Sequence, residues 1–159
     1  MVATSAGILL HRLDGERRLV LVAHMGGPFW AAKDEAAWSI PKGEYDPGEE
    51  SAEDAARREF REELGVDPPA VPLAELGTFA YSSGKRLTVF AADGAGFAAP
   101  TGGFGTFTRE WPPRSGRMQE FPEVDRAEWL TMDAAHDRLV KGQRPVLAAL
   151  AQRLAGSSP

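Results

Sequence analysis

The sequence predicts an α/β domain built as a mixed sheet with helices on its flanks. Three observations carry that expectation. Short runs of apolar, strand-forming residues alternate with segments of helical periodicity, in the order strands, helix, strands, helices. The chain has 159 residues, the size of one domain, and at this length folding buries roughly 70% of the surface that the unfolded chain exposes. Its composition, 43% hydrophobic and 26% charged, is close to the globular average and excludes wholesale disorder, collagen and coiled-coil arrays. No repeat or linker divides it, so residues 1–155 are expected to form a single domain and 156–159, Gly-Ser-Ser-Pro, a short flexible tail.

Residues 3–11 and 18–24 are apolar runs around Leu13-Asp14-Gly15-Glu16, whose Asp-Gly pair favours a tight turn, so they read as a hairpin. Glycines, Pro28 and mixed polarity make 25–37 a loop, and 38–40 reads as a short strand stopped by Pro41. A second loop, 43–49, leads to a helix over 51–64. Ser51 can cap its first turn, Glu53 and Asp54 suit its positive end, and Gly65 followed by Asp67-Pro68-Pro69 ends it. Residues 73–80 and 86–92 read as strands around Ser82-Ser83-Gly84. Six glycines and four prolines make 93–123 a long loop of the functional or mobile kind. Residues 124–130 read as a strand and 132–141 as a short helix closed by Gly142. A final helix over 145–154 has Val146, Leu147, Leu150 and Leu154 at helical spacing.

With no cysteine, the chain excludes a disulfide framework, a zinc ribbon, a thiolate iron-sulfur site and a cysteine nucleophile, so any metal must sit on oxygen or imidazole. No apolar run approaches the ~20 residues of a membrane span, and the first five residues lack the basic and apolar regions of a secretory signal. A cytoplasmic protein without a membrane partner is expected. A net charge of -5 argues against a protein that grips nucleic acid through its phosphates, and no stable nucleic-acid partner is expected. A homodimer is left open. The charge is unevenly spread: residues 42–63 hold nine acidic and four basic side chains, while the rest balances at 14 of each. Such self-repulsion needs relief by solvent or a cation.

On a helical wheel Glu59, Glu62 and Glu63 converge on one face of the 51–64 helix within about one turn. Ala52, Ala55 and Ala56 share that face one and two turns earlier, and their short side chains are expected to leave the ground before the carboxylates open. Phe60 and Leu64 form the flank that can anchor the helix to the core. Three carboxylates without Cys or His make a hard oxygen site suited to Mg²⁺ or Mn²⁺, ions that usually act on phosphates. The alternative is a solvated acidic face whose glutamates pair with Arg57, Arg58 and Arg61 at i,i+3 or i,i+4.

The flanks favour the site. From Gly43 to Val66 the chain resembles the signature of the Nudix hydrolases, and Arg58-Glu59-Phe60-Arg61-Glu62-Glu63-Leu64-Gly65-Val66 matches its second half throughout. The first half is one residue longer than the family pattern. Counting forward from Gly43 puts the first motif glutamate at Glu49, and counting back from Arg58 puts it at Glu50. The resemblance implies the Nudix fold, an α/β/α sandwich with a mixed sheet between helices. It also implies hydrolysis of a phosphoanhydride in a nucleoside-diphosphate-linked substrate, by water, with divalent cations bound. By position it makes Glu59, Glu62 and Glu63 the cation ligands, adds the Gly43 carbonyl as a further oxygen, and has Arg58 orient the helix through a salt bridge to Glu49 or Glu50. The physics agrees, because an acidic helix repels a pyrophosphate unless metal ions bridge the two. Mg²⁺, with Mn²⁺ as substitute, is therefore the expected cofactor and a small-molecule nucleotide the expected partner.

Outside the motif, Lys42 could reach a phosphate or be an ordinary surface lysine. The 93–123 segment combines Arg114 and Arg117 with Trp111, Glu120 and Glu123: cations for phosphate, an aromatic for a base, and a carboxylate for water or metal. Many Nudix proteins draw a further glutamate from a late loop. Glu120 and Glu123 are the candidates here, with Glu120 placed among the catalytic residues, and the segment is expected to close over substrate as a lid. Trp30 and Trp38 read as core, and His11, His24 and His136 as structural histidines. Two other readings stay open: a Nudix-fold module that binds nucleotides without cleaving them, and an acidic-helix interaction protein, which leaves the glycine-containing loop unexplained. The approach Pro41-Lys42-Gly43-Glu44-Tyr45-Asp46-Pro47-Gly48 is similar to that of diadenosine polyphosphate hydrolases. Nucleoside triphosphates, nucleotide sugars and diphosphoinositols are further options.

Overall fold

The computed structural model describes residues 3–81 and 84–156. Its first hairpin joins β1 (Thr4–Asp14) to β2 (Arg17–Met25) through Gly15, whose φ of 64° is a left-handed conformation that glycine adopts without steric cost. The two strands pair only near the turn, His11–Asp14 against Arg17–Val20. Beyond it they part, and the following chain fills the wedge. β3 (Trp38–Ser39) pairs with Ala23 and His24 of β2, and β4 (Lys42–Glu44) pairs with Ser5–Gly7 of β1. β4 occupies what reads from sequence as the start of a loop; three residues are too few to display a strand period. Gly7 lets the wedge close, since a Cβ there would crowd the Pro41 carbonyl and the Lys42 side chain.

The motif helix α1 (Ala52–Leu64) follows, then β5 (Ala74–Tyr81) and β6 (Lys85–Asp93). β6 runs parallel to β1 along the whole of 4–11 and antiparallel to β5, so the sheet is mixed as expected. The turn residues Ser82 and Ser83 lie outside the described residues. Residues 93–123 are less irregular than their glycines and prolines suggest. β7 (Thr106–Glu110) and β8 (Met118–Pro122) form a separate two-stranded hairpin, with Thr106 opposite Pro122 and Glu110 opposite Met118. Both strands are largely exposed, and apart from the half-buried pair Phe107 and Phe121 their side chains are mostly polar, which hides their period. β9 (Val124–Thr131) then returns to the outer edge of β2.

The C-terminal part also differs in detail. α2 (Met132–Arg138) stops three residues short of the expectation, Leu139 is extended, and Lys141–Gln143 make a 3₁₀ turn that enters α3 (Arg144–Gly156). Gly156 belongs to that helix rather than to a tail, and 157–159 lie outside the described residues.

Alternating side chains on the strands feed two cores. Ile8, Leu10, Leu21, Ala23 and Phe90 face α1, which buries Ala55, Ala56, Phe60 and Leu64 against them. Leu9, Val20, Val22, Leu87 and Val89 face α2 and α3, which contribute Ala135, Val146, Leu147 and Leu150, together with Leu139, the extended residue just after α2. The result is the α/β/α sandwich. A fully buried side chain such as Phe60 or Leu64 contributes on the order of 1.5–3 kcal/mol. Buried His24 ties the loop after β2 to the sheet. Its ring nitrogens are hydrogen-bonded to Asp125 Oδ1 at 2.8 Å and to the Lys33 carbonyl, and Trp38 packs edge-on against it.

Candidate active site

α1 starts and stops as its sequence requires. The Ser51 hydroxyl accepts from the Asp54 N–H at 3.1 Å, and Gly65, at φ 77°, closes the helix by donating to the Arg61 carbonyl at 2.8 Å. One expectation fails on this helix. Ala55 and Ala56 do not leave a space before the carboxylates; both are fully buried beneath the helix, in the core it shares with β1. Their small size brings the helix axis close to the sheet, and that approach carries the neighbouring glutamates inward.

The three motif glutamates consequently differ. Glu62 is 55% exposed, the Glu59 side chain 15%, and Glu63 is buried at 8%. Glu59 lies over Gly43, where any Cβ would overlap its carboxylate. Burial raises the pKa of Glu59, aided by Glu62 and Glu123 and opposed by Arg58. Burial pushes Glu63 further, up to about 8, with Glu123 and Glu59 adding repulsion and Lys42 opposing. Arg58 is the main internal counter-charge. Its Nε and Nη2 donate to Glu50 at 3.1 and 2.5 Å, and its Nη1 donates to Glu59 at 2.8 Å and Glu62 at 3.1 Å. The partner that Arg58 meets across the loop is thus Glu50 and not Glu49, and the Arg58 hydrogen bonds hold the Glu50 carboxyl below its ordinary pKa. Arg57 and Arg61 turn away, to Glu53 at 4.0 Å and Asp67 at 3.6 Å.

Among the described residues, no three Asp, Glu, His or Cys side chains stand assembled as a ready metal centre. Arg58 holds two of the carboxylates that would form one. The donor set still suits a hard divalent cation: Glu59, Glu62, Glu63 and Glu123 are oxygen donors, and burial pushes the Glu63 carboxyl up to about 8, a cost that a bound cation would offset.

A fourth carboxylate reaches the helix from the late segment, and it is Glu123 rather than Glu120. Glu123 follows β8 and acts electrostatically on both Glu59 and Glu63, whereas Glu120 is exposed on the hairpin opposite Thr108. Three backbone hydrogen bonds in series fix its place. The Gly105 N–H donates to the Glu63 carbonyl at 3.1 Å, the Glu123 N–H to the Gly105 carbonyl at 2.7 Å, and the Gly26 N–H to the Glu123 carbonyl at 2.9 Å. A Cβ on Gly105 would meet the Glu62 carbonyl at 2.6 Å, so the glycine is what allows this approach. Arg114 and Arg117 are exposed at the hairpin turn, away from any carboxylate ion pair among the described residues. Trp111 packs edge-on against Phe29 at 5.4 Å, and Arg109 stacks over the same ring at 4.3 Å, docking the hairpin on the loop after β2. Lys42 opens a cleft that also receives Lys85 and Lys141. Neither of those two was singled out from sequence, where they stand isolated.

A family model, described as the NUDIX domain, matches residues 1–150. The chain belongs to the Nudix hydrolase family. The Nudix fold recurs in solved structures of low identity. A Caenorhabditis elegans Ap4A hydrolase in binary complex superposes with a TM-score of 0.64 at 21% identity, covering 98% of this chain and 99% of that one. The NUDIX domain of Shewanella oneidensis NrtR complexed with ADP ribose gives 0.62 at 16% identity, over 97% and 89%. A curated relative, an uncharacterized 17.7 kDa protein of Enterobacteria phage T4, is 37% identical over 100 residues, which span 57% of this chain and 58% of that protein.

Proposed function

We propose that this Nudix protein is a metal-dependent pyrophosphohydrolase that cleaves a phosphoanhydride bond in a nucleoside-diphosphate-linked substrate, a dinucleoside polyphosphate being one such compound. The observation that carries the reading is the cluster of partly buried carboxylates at the end of the motif helix, gathered around one buried member. Glu63 is buried beside Glu59 and Glu123, and burial pushes its pKa up to about 8 even with Lys42 opposing; natural domains retain such a cost chiefly where a ligand relieves it. Glu59, Glu62, Glu63 and the Gly43 carbonyl would hold Mg²⁺ or Mn²⁺. The ion, when bound, supplies neutralisation of phosphate charge and an acidified water.

The remaining tasks fall to the chain's own residues. Arg58, clamped on Glu50, keeps Glu59 and Glu62 oriented while they await the cation. Glu123, whose backbone is held between Gly105 and Gly26, is in reach of the same cluster and would take a proton from the attacking water. Lys42 would meet phosphate, and Arg114, Arg117 and Trp111 would approach from the β7–β8 hairpin. Ap4A hydrolase and a NUDIX domain holding ADP ribose, two fold neighbours, both concern nucleotides with linked phosphates, which supports this substrate class.

The test is Glu62→Gln, which removes a ligand charge and keeps the shape. Turnover in Mg²⁺ should fall by ~100-fold or more, the loss typical of a disrupted metal site or key electrostatic contact, with an unchanged circular dichroism spectrum. A variant keeping half of the wild-type turnover would reject the ligand role. Wild-type protein that binds such nucleotides without turnover would instead support a binding module.

A further inference from the structure

The chain is sparing with lysine. Of its 18 basic residues only four are lysines, at positions 33, 42, 85 and 141. Three of these four, Lys42, Lys85 and Lys141, line one cleft of about 330 Å³. They arrive from different parts of the fold: β4, the first residue of β6, and the 3₁₀ turn before α3. Among the described residues no acidic side chain lines this cleft. Among the described residues Lys85 and Lys141 make no ion pair, whereas Arg57, Arg58, Arg61, Arg126 and Arg138 all do. Lys42 faces Glu63, but Lys85 and Lys141 converge on it without a carboxylate ion pair among the described residues, and a bound anion relieves their mutual repulsion.

The cleft has a direction. Lys42 immediately precedes Gly43, which lies against the Glu59 carboxylate, and Lys42 acts electrostatically on Glu63. One end therefore abuts the proposed reaction centre. Met25, Trp30 and Val140 add apolar wall, of a kind that seats a nucleoside. We propose that this cleft holds the phosphate chain of a nucleotide carrying three or more linked phosphates. The proposal rests on the hydrolase reading for the placement of the reacting phosphate. With that phosphate at the motif carboxylates, Lys42 is the first cation met, and Lys85 and Lys141 have a partner only when further phosphates follow. Lysine suits the task, because a compact ammonium on a flexible stem follows a phosphate chain without imposing the fork geometry of arginine.

Two measurements separate this proposal from the hydrolase reading. The first is calorimetric titration with inorganic tripolyphosphate in the absence of divalent cations. Wild-type protein should bind it at least tenfold more tightly than the double variant Lys85→Met/Lys141→Met, with Arg17→Met, a distant surface change, matching wild type. All three side chains are exposed, so no melting temperature should fall below that of wild type, which certifies folding. The second is hydrolysis in Mg²⁺ of a dinucleoside tetraphosphate and of ADP-ribose. The double variant should raise KM for the tetraphosphate at least tenfold and change KM for ADP-ribose less than threefold. Equal tripolyphosphate binding by wild type and double variant overturns the cleft, whatever the activity. A binding difference without turnover of either compound retains the cleft and removes the hydrolase reading.

Discussion

Glu63 concentrates the chemistry of the site in one side chain. Its carboxyl titrates at about 8 in the folded protein against 4.5 when solvated, so between those values the folded state holds a proton that the unfolded state has released. Stability must then fall as pH rises through that window. Thermal melts without divalent cations should show Tm declining from about pH 5 to about pH 8, and Glu63→Gln, which cannot ionise, should flatten the decline. Identical slopes would disprove the buried charge. The same proton must leave when a cation binds. Mg²⁺ titrations at pH 7 in buffers of different ionisation enthalpy should therefore report proton release, which Glu63→Gln should diminish. At the other end of the helix, Glu50→Gln should lower kcat while Glu49→Gln leaves it unchanged, because Glu50 is the carboxylate that Arg58 grips through two nitrogens.

At the scale of elements, the β7–β8 hairpin is the part whose role depends most on substrate. Arg117→Ala should lower kcat/KM by ~1–3 kcal/mol of lost charge-assisted contact with little change in Tm. Unaltered kinetics in both Arg117→Ala and Arg114→Ala would place the phosphate elsewhere, with Lys42 the next candidate. The motif helix was legible because its information is local: Ser51, the run from Arg58 to Val66 and Gly65 each act through backbone and neighbours within a turn or two. The alternating apolar positions of β1, β2 and β6 were legible for the same reason. What escaped depends on distance in the sequence. Whether Ala55 and Ala56 face a cavity or a sheet is decided by β1, some fifty residues earlier. The choice of Glu50 over Glu49 follows from the path of a loop one residue longer than the family pattern. β7 and β8 are largely exposed, with Phe107 and Phe121 half-buried between them, and so show no clear period, and Lys85 and Lys141 become neighbours of Lys42 only once the sheet and the 3₁₀ turn are in place.

For the whole molecule, cation binding and folding are one equilibrium. The native helix gathers carboxylates that the unfolded chain disperses, so at ~100-fold excess over Kd a divalent cation should stabilise the fold by about 2.7 kcal/mol. No rise of Tm in millimolar Mg²⁺ or Mn²⁺ would count against the cluster as a cation site. The parallel pairing of β1 with β6 has a consequence in time rather than space. β1 leaves the ribosome before β6, yet the edge it offers to residues 86–93 stays unpaired until they too have been made, roughly eighty residues later, or on the order of 4–16 s at ordinary synthesis rates. Ala6, Ile8, Leu9 and Leu10, all buried in the finished protein, lie along that waiting strand. Nascent chains arrested before β6 should bind chaperones that recognise apolar segments and yield quickly to protease, and chains long enough to release β9 should do neither. The strand that later carries both cores thus spends its first seconds as the segment most exposed to aggregation.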